Sequence, residues 1–343
     1  MSSLPNNTKH TVANIFNSFL AAPSIGAAWE VGILDQLRDQ KRLNVVDYSI
    51  REDLHIPSVQ GMVTTLAIFH VLKRKGQHIV PGSLFEDAYQ TKSLFHFISL
   101  GQGDVFTRMQ YNLRNKNRGG NFYTRDPAAI SYACRDINER YIDPLFWTVM
   151  DGLSFEFSEV VDLGCGSGGR LMQILDHYPT ARGIGIDIAT PSNEVAKAEA
   201  SKLGYAPRLR FVEGDVLKLD FRDDFKDVEL LTCFMMGHDF WPRASAIETL
   251  RRLRESFPKI RRFILGDTTR CILGGGDPKY SITEEEVPVF SLGFEFVHAL
   301  MGAYIPSLAE WDDAFAESGW RCVKRHFTSD RPPVWVVFEL EHA

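Results

Sequence analysis

Cysteine is sparse in this 343-residue chain, and no spacing suggests a pair. Cys134, Cys165, Cys233, Cys271 and Cys322 are odd in number, widely scattered and never spaced Cys-x-x-Cys. That argues against a disulfide framework or a zinc knuckle and fits a reducing cytoplasm. Excess positive charge is also lacking: 38 Lys and Arg stand against 44 Asp and Glu, a net charge of −6. A general nucleic-acid surface does not follow from such a balance. No stretch of about 20 predominantly apolar residues, as a membrane span needs, is present. Met1 to His10 is polar, without the apolar centre of a signal peptide. There is no internal repeat and no low-complexity tract. What the chain does have is 44% hydrophobic residues, enough for a full core, and length enough for two domains.

The organising stretch is Val160-Val161-Asp162-Leu163-Gly164-Cys165-Gly166-Ser167-Gly168. An apolar run closed by an acid and glycines suits the carboxyl end of a central parallel strand, feeding a helix over 169–177. Glycines there let a ligand approach main-chain N–H groups. A second strand, Gly183 to Ile188, carries Asp187, 25 residues after Asp162 (187 − 162). A carboxylate so placed accepts both hydroxyls of a ribose in doubly wound folds. A third strand, Leu209 to Val212, precedes Gly214-Asp215-Val216, where an acid accepts from an adenine amino group.

These three motifs resemble the class I S-adenosylmethionine-dependent methyltransferases, over roughly the last 200 residues. Dinucleotide binding is the competing reading, but the loop lies deep in the chain, behind a helical segment. The resemblance implies a Rossmann-like α/β fold with a seven-stranded sheet whose last strand is antiparallel. It also implies S-adenosylmethionine as cofactor, held by Asp162, Gly164, Gly166, Asp187, Asp215, Val216 and Phe234.

Ahead of that domain the rhythm is helical. Val12, Ile15, Phe16 and Phe19 recur at helical spacing, as do Ala28, Val31, Leu34 and Leu37, and Pro23 separates the two runs. Residues 44–81 read as a winged helix, with Ser58 as a helix cap and a small hairpin after Lys73-Arg74-Lys75-Gly76. Its one basic cluster is too small for a DNA reader, and the larger small-molecule methyltransferases use such a module as a dimerisation surface. The predicted domains are therefore 1–144, helical and winged-helix-like, for dimerisation and substrate closure, and 145–343, catalytic. A homodimer without nucleic-acid or membrane partners is expected.

Catalytic groups in open α/β sheets lie beyond the carboxyl ends of the strands. His238 and Asp239 follow the fourth strand directly. His238-Asp239-Phe240-Trp241 nearly matches the His-Asp-Trp of small-molecule O-methyltransferases, where the histidine is a general base. His298 sits in an apolar helix beside Phe294, Phe296, Val297, Leu300 and Met301, and an imidazole there needs a partner. Two histidines meeting in one chamber make a divalent-metal site with open positions, suited to iron or zinc.

Three longer stretches narrow the resemblance. Phe234 to Pro242, Phe290 to His298 and Ala129 to Cys134 are similar to the bacterial 2-oxo acid C-methyltransferases of the phenylpyruvate type. These supply β-methyl amino acids to peptide antibiotics and other secondary metabolites. The resemblance implies a metal on His238 and His298, with Arg125 and Asp239 beside the substrate and Phe97, Phe294 and Glu295 lining it. The implied reaction methylates C3 of a 2-oxo acid through a metal-chelated enolate, with Arg125 pairing the substrate carboxylate. The sequence leaves open whether Asp239, water on the metal or Tyr132 removes the proton. The ring at Phe97 and the acidic run Glu284-Glu285-Glu286 incline the substrate towards 5-guanidino-2-oxopentanoate over phenylpyruvate. The alternative is a metal-independent O-methyltransferase with His238 as base.

Overall fold

A computed structural model describes residues 6–272, 282, 287–328 and 335–343. The acidic run at 284–286 lies outside the described residues. The chain divides into two compact units, Met1–Asn138 and Glu139–Ala343. The division falls a few residues before the Pro144 boundary expected from the sequence.

In the first unit, α1 (Asn6–Glu30) runs unbroken through Pro23, against the expected break there. Its packing along later helices of the unit outweighs the one backbone bond that proline removes. The chain turns instead at Gly32, whose φ of 79° suits a residue without Cβ. There follow α2 (Ile33–Gln40), β1 (Leu43–Asn44), α3 (Val45–Arg51) and α4 (Ile56–Ile68). Asn44 caps α3 by accepting from the N–H groups of Val46 and Asp47. His55, not Ser58, occupies the cap position of α4. Pro57 fills the first turn, where no N–H is needed, so Ser58 falls inside the helix with its hydroxyl 2.8 Å from His55 Nδ1. The hairpin β2 (Leu72–Lys75) and β3 (His78–Pro81) turns at Gly76, and β1 pairs with β3 to complete a three-stranded wing. Short helices α5 (Phe85–Gln90), α6 (Lys92–His96), α7 (Gly103–Thr107) and α8 (Met109–Asn112) precede α9 (Pro127–Ile137). Asp126 caps α9 through the N–H groups of Ala128 and Ala129.

The second unit opens with α10 (Asp143–Asp151) and then alternates strand and helix. Its elements are β4 (Glu159–Leu163), α11 (Gly169–His177), β5 (Arg182–Asp187), α12 (Thr190–Lys202), β6 (Leu209–Glu213), β7 (Leu230–Phe234), α13 (Arg243–Ser256) and β8 (Arg262–Thr268). After α14 (Ser291–Met301) and α15 (Leu308–Ser318), the chain closes with β9 (Trp320–Phe327) and β10 (Trp335–His342). The seven-stranded order is β6-β5-β4-β7-β8-β10-β9. β4 to β8 are parallel, and β10 enters antiparallel between β8 and β9. This is the fold and the reversed last strand expected from the sequence. Successive strand residues face opposite sides: Val161 and Leu231 join the core under α13 and α15, while Val160 and Leu230 join that under α10 and α11. Both faces are covered, so the central strands are mainly apolar, with Asp162, Thr232 and Asp267 as buried polar exceptions.

Trp320 ties the edge strand to this core. It is 1% exposed, and its Nε1 donates to Leu250 O at 2.8 Å. Trp320→Ala is expected to destabilise the unit by about 3–5 kcal/mol in urea unfolding, the usual cost of emptying such a site. A loss below about 1 kcal/mol would show that the core does not depend on it.

Candidate functional site

Three acids mark the carboxyl ends of β4, β5 and β6. Asp162 is buried on β4 and accepts from Thr232 Oγ1 of β7 at 2.6 Å. Burial pushes its carboxyl up to about 6, against the pull of the Arg170 guanidinium and the threonine bond. The chain leaves β4 through Gly164 to Gly168. At Gly164, φ is 68° and a Cβ would stand 2.5 Å from Met236 Sδ, so a larger residue would strain the backbone and displace that side chain. At Gly166, φ is 53° and a Cβ would meet nothing within 4 Å, so this part of the loop is open to an approaching ligand. Gly166 N–H donates to Asp187 Oδ2 at 2.9 Å, and Ala189 N–H donates to Oδ1 at 2.8 Å. Asp187 thus fastens the end of β5 to the glycine loop. Asp215 accepts from Leu217 N–H at 3.0 Å and caps the 3-10 turn Val216–Lys218, with Val216 buried. These features fit an adenosyl cofactor laid across the three strand ends.

The two histidines meet on the other side of the strand-order reversal. A 3-10 turn, Gly237–Phe240, follows β7 and buries His238. Asp267, which lies inside β8 and not after it, holds this turn. Its Oδ2 accepts from the His238 N–H at 2.5 Å, and its Oδ1 from the His238 Nδ1 at 2.8 Å. Gly237 is required because a Cβ would stand 2.7 Å from Asp267 Oδ2. His298 is buried on α14 and donates from Nδ1 to Phe294 O, one turn back, at 2.7 Å. Carbonyl and carboxylate both accept, so in each neutral ring Nδ1 carries the hydrogen and Nε2 the lone pair. The ring centroids lie 5.2 Å apart at 89°.

An aromatic row continues from this pair. Phe294 lies 4.0 Å from His298 and 5.1 Å from Phe290, and Trp335 lies 5.6 Å from Phe290 and 4.9 Å from Tyr141. Phe290, at the start of α14, has a φ of 84°, an unusual conformation for a residue with a side chain.

Other expected site residues stand differently. Glu295 is buried, and its carboxylate accepts from Cys271 N–H at 2.6 Å and Ile272 N–H at 3.1 Å, tying down the chain after β8. Its carboxylate thus serves backbone N–H groups. Asp239 is exposed while His238 and Phe240 on either side are buried. Among the described residues, no group of three or more His, Cys, Asp and Glu forms a metal site. Phe97, Arg125 and Tyr132 belong to the first unit. Phe97 is buried there, and Arg125 is exposed just before the α9 cap. Tyr132 packs between Trp29 at 4.6 Å and His96 at 5.1 Å, and burial raises its hydroxyl pKa, the wrong direction for a base. Asp267, Thr232 and Arg170 were not expected in the site. Asp267 had one sequence signal, its position on the strand after the one that carries His238.

Residues 160–256 match the family described as Methyltransferase domain. The chain is 52% identical over 343 residues to Methyltransferase ungE' of Aspergillus campestris, covering 100% of both chains. It is 25% identical over 320 residues to Indolepyruvate C-methyltransferase of Streptomyces griseus, covering 91% of this chain and 89% of that one. The structure of the mitomycin 7-O-methyltransferase MmcR superposes with a TM-score of 0.69 at 16% identity, covering 98% of both chains.

Two outcomes are expected of this geometry. Asp267→Asn is expected to lower methyl transfer by about 10–100-fold with the circular dichroism unchanged, as losses of ligand-orienting partners do. Cofactor affinity should also depend on pH. A cationic cofactor favours the ionised Asp162, so its Kd should rise as pH falls through about 6. Titration calorimetry across that range checks this, and Asp162→Asn should flatten the profile.

Proposed function

The chain belongs to the S-adenosylmethionine-dependent methyltransferases, and on that footing we propose that it methylates C3 of an aromatic 2-oxo acid, in the manner of a phenylpyruvate or indolepyruvate C-methyltransferase. The observation that carries this reading is the pair His238 and His298, both pinned at Nδ1 and adjoining the aromatic row. The Streptomyces relative, named for methylation of indolepyruvate at carbon, supports it. The product would be the precursor of a β-methyl amino acid for secondary metabolism.

A 2-oxo acid is nucleophilic at C3 only as its enol or enolate. The C3–CH3 bond forms as the S–CH3 bond of the sulfonium breaks, the C3 proton is lost, and S-adenosylhomocysteine leaves. Two imidazoles with Nδ1 held by carboxylate and carbonyl, His238 and His298, would hold a divalent ion such as iron or zinc, which would stabilise negative charge on substrate oxygens. Asp267 keeps His238 in the required tautomer, and Phe294 O does the same for His298. Phe290, Phe294 and Trp335 offer apolar, water-excluding faces to an aryl side chain. The guanidino substrate gains no support among the described residues, because Glu295 is committed to backbone N–H groups.

The second reading, an O-methyltransferase, draws on the same His238–Asp267 contact, because an imidazole so oriented is also a general base. Metal content of the purified protein, with assays on phenylpyruvate, indolepyruvate, 5-guanidino-2-oxopentanoate and a phenol, separates the two. The C-methylation reading expects bound metal, turnover of the aryl acids, and a drop of about 100-fold or more in His298→Ala. Metal-free wild type that methylates the phenol, and keeps that activity in His298→Ala, would establish the other.

For the assembly we propose a homodimer that covers one face of α1. Val12, Ile15, Phe16 and Phe19 form a stripe at helical spacing, 56–73% exposed. Light scattering should give twice the chain mass for wild type and one chain mass for the double variant Phe16→Asp, Phe19→Asp. A wild-type monomer would remove the proposal. No helix among the described residues is long and apolar enough to cross a membrane.

A further inference from the structure

Arg170 is the second residue of α11, directly behind the glycine loop, and its side chain is only 10% exposed. Its guanidinium lies between two rings, 4.1 Å from the centroid of Phe234 and 4.7 Å from that of Phe146. Buried Nη1 makes a long ion pair with Asp143 Oδ1 at 3.3 Å, short of good hydrogen-bond geometry. Burial lowers its proton affinity, and the nearby carboxylates of Asp162 and Asp143 oppose that. A buried, incompletely paired guanidinium is costly unless a ligand completes it.

Its position says which ligand. Asp162 and Phe234 end the adjacent strands β4 and β7, where the strand order reverses and a ligand of such a sheet lies. The carboxylates of buried Asp162 and partly exposed Asp143, with one guanidinium, leave a net charge of −1 there. S-adenosylmethionine carries the compensating +1, from a sulfonium and an ammonium against one carboxylate, and its amino-acid end offers the ammonium to a carboxylate and the carboxylate to the guanidinium.

We propose that Arg170 binds the α-carboxylate of the methionine moiety of S-adenosylmethionine, while Asp162 faces its ammonium. The guanidinium supplies the charge-assisted hydrogen bonds that its own surroundings leave unmade. The inference rests on the cofactor of the family and not on the identity of the methyl acceptor.

Titration calorimetry of the full chain tests it with S-adenosylmethionine and with decarboxylated S-adenosylmethionine, which keeps the sulfonium and ammonium and lacks only the carboxylate. Wild type is expected to prefer the intact cofactor by about 10–100-fold, the worth of a charged hydrogen bond. Arg170→Gln should reduce that preference to below about 3-fold, chiefly by weakening the intact cofactor, and Arg170→Lys should restore part of it. Equal weakening of both ligands in Arg170→Gln would show that Arg170 only supports the fold. Should that variant fail to fold, wild type alone decides: equal affinity for the two ligands would overturn the proposal.

Discussion

Strands β4 and β7 lie side by side and parallel, yet the chain leaves them in opposite directions across the sheet. From β4 it crosses to β5 and β6, and from β7 to β8. The helices that follow therefore lie on opposite faces, and a crevice opens above the two strand ends. Asp162 and Thr232 meet there in a hydrogen bond, Arg170 leans over the Phe234 ring, and the glycine loop borders the same space. The turn that carries His238 is the direct exit from β7. Cofactor cradle and histidine pair are thus neighbours because of one topological fact.

The chemistry of the pair depends on a second constraint, the engagement of both Nδ1 atoms. A ring free to rotate would present either nitrogen. Here Asp267, fixed within β8, and Phe294 O, fixed within α14, permit one tautomer each. Asp267 also accepts from the His238 and Thr268 N–H groups, so the carboxylate that orients the ring is itself immobilised by backbone. Glu295 plays a comparable part nearby, where its carboxylate holds the chain after β8. Acids in this region organise the backbone that presents the imidazoles.

Much of this was legible in the sequence because the signals were local. Each strand that ends in an acid announces itself within a few residues, so Asp162, Asp187 and Asp215 could be placed in order. His238 followed from its place after a strand, and His298 from its apolar helix. Features that depend on neighbours distant in sequence were not legible. Asp267 and His238 are 29 residues apart and meet only because β7 pairs with β8. Arg170 falls in the helix expected over 169–177, where nothing local singles it out, and only the fold brings Phe146 and Phe234 around it. Pro23 failed to break α1 because packing prevailed over propensity, and Ser58 lost the cap to His55 because Pro57 already filled the first turn. The resemblance places Glu295 beside the substrate, and only the fold shows which N–H groups its carboxylate serves.

The central claim is that the methyl group goes to carbon. The most direct measurement is carbon NMR of the product formed from S-adenosylmethionine labelled with ¹³C in its methyl group and phenylpyruvate. The account predicts an aliphatic methyl signal coupled to the proton at C3, with S-adenosylhomocysteine formed in equal amount. A methoxy signal without coupling to a C3 proton would contradict it and assign the protein to methyl transfer at oxygen.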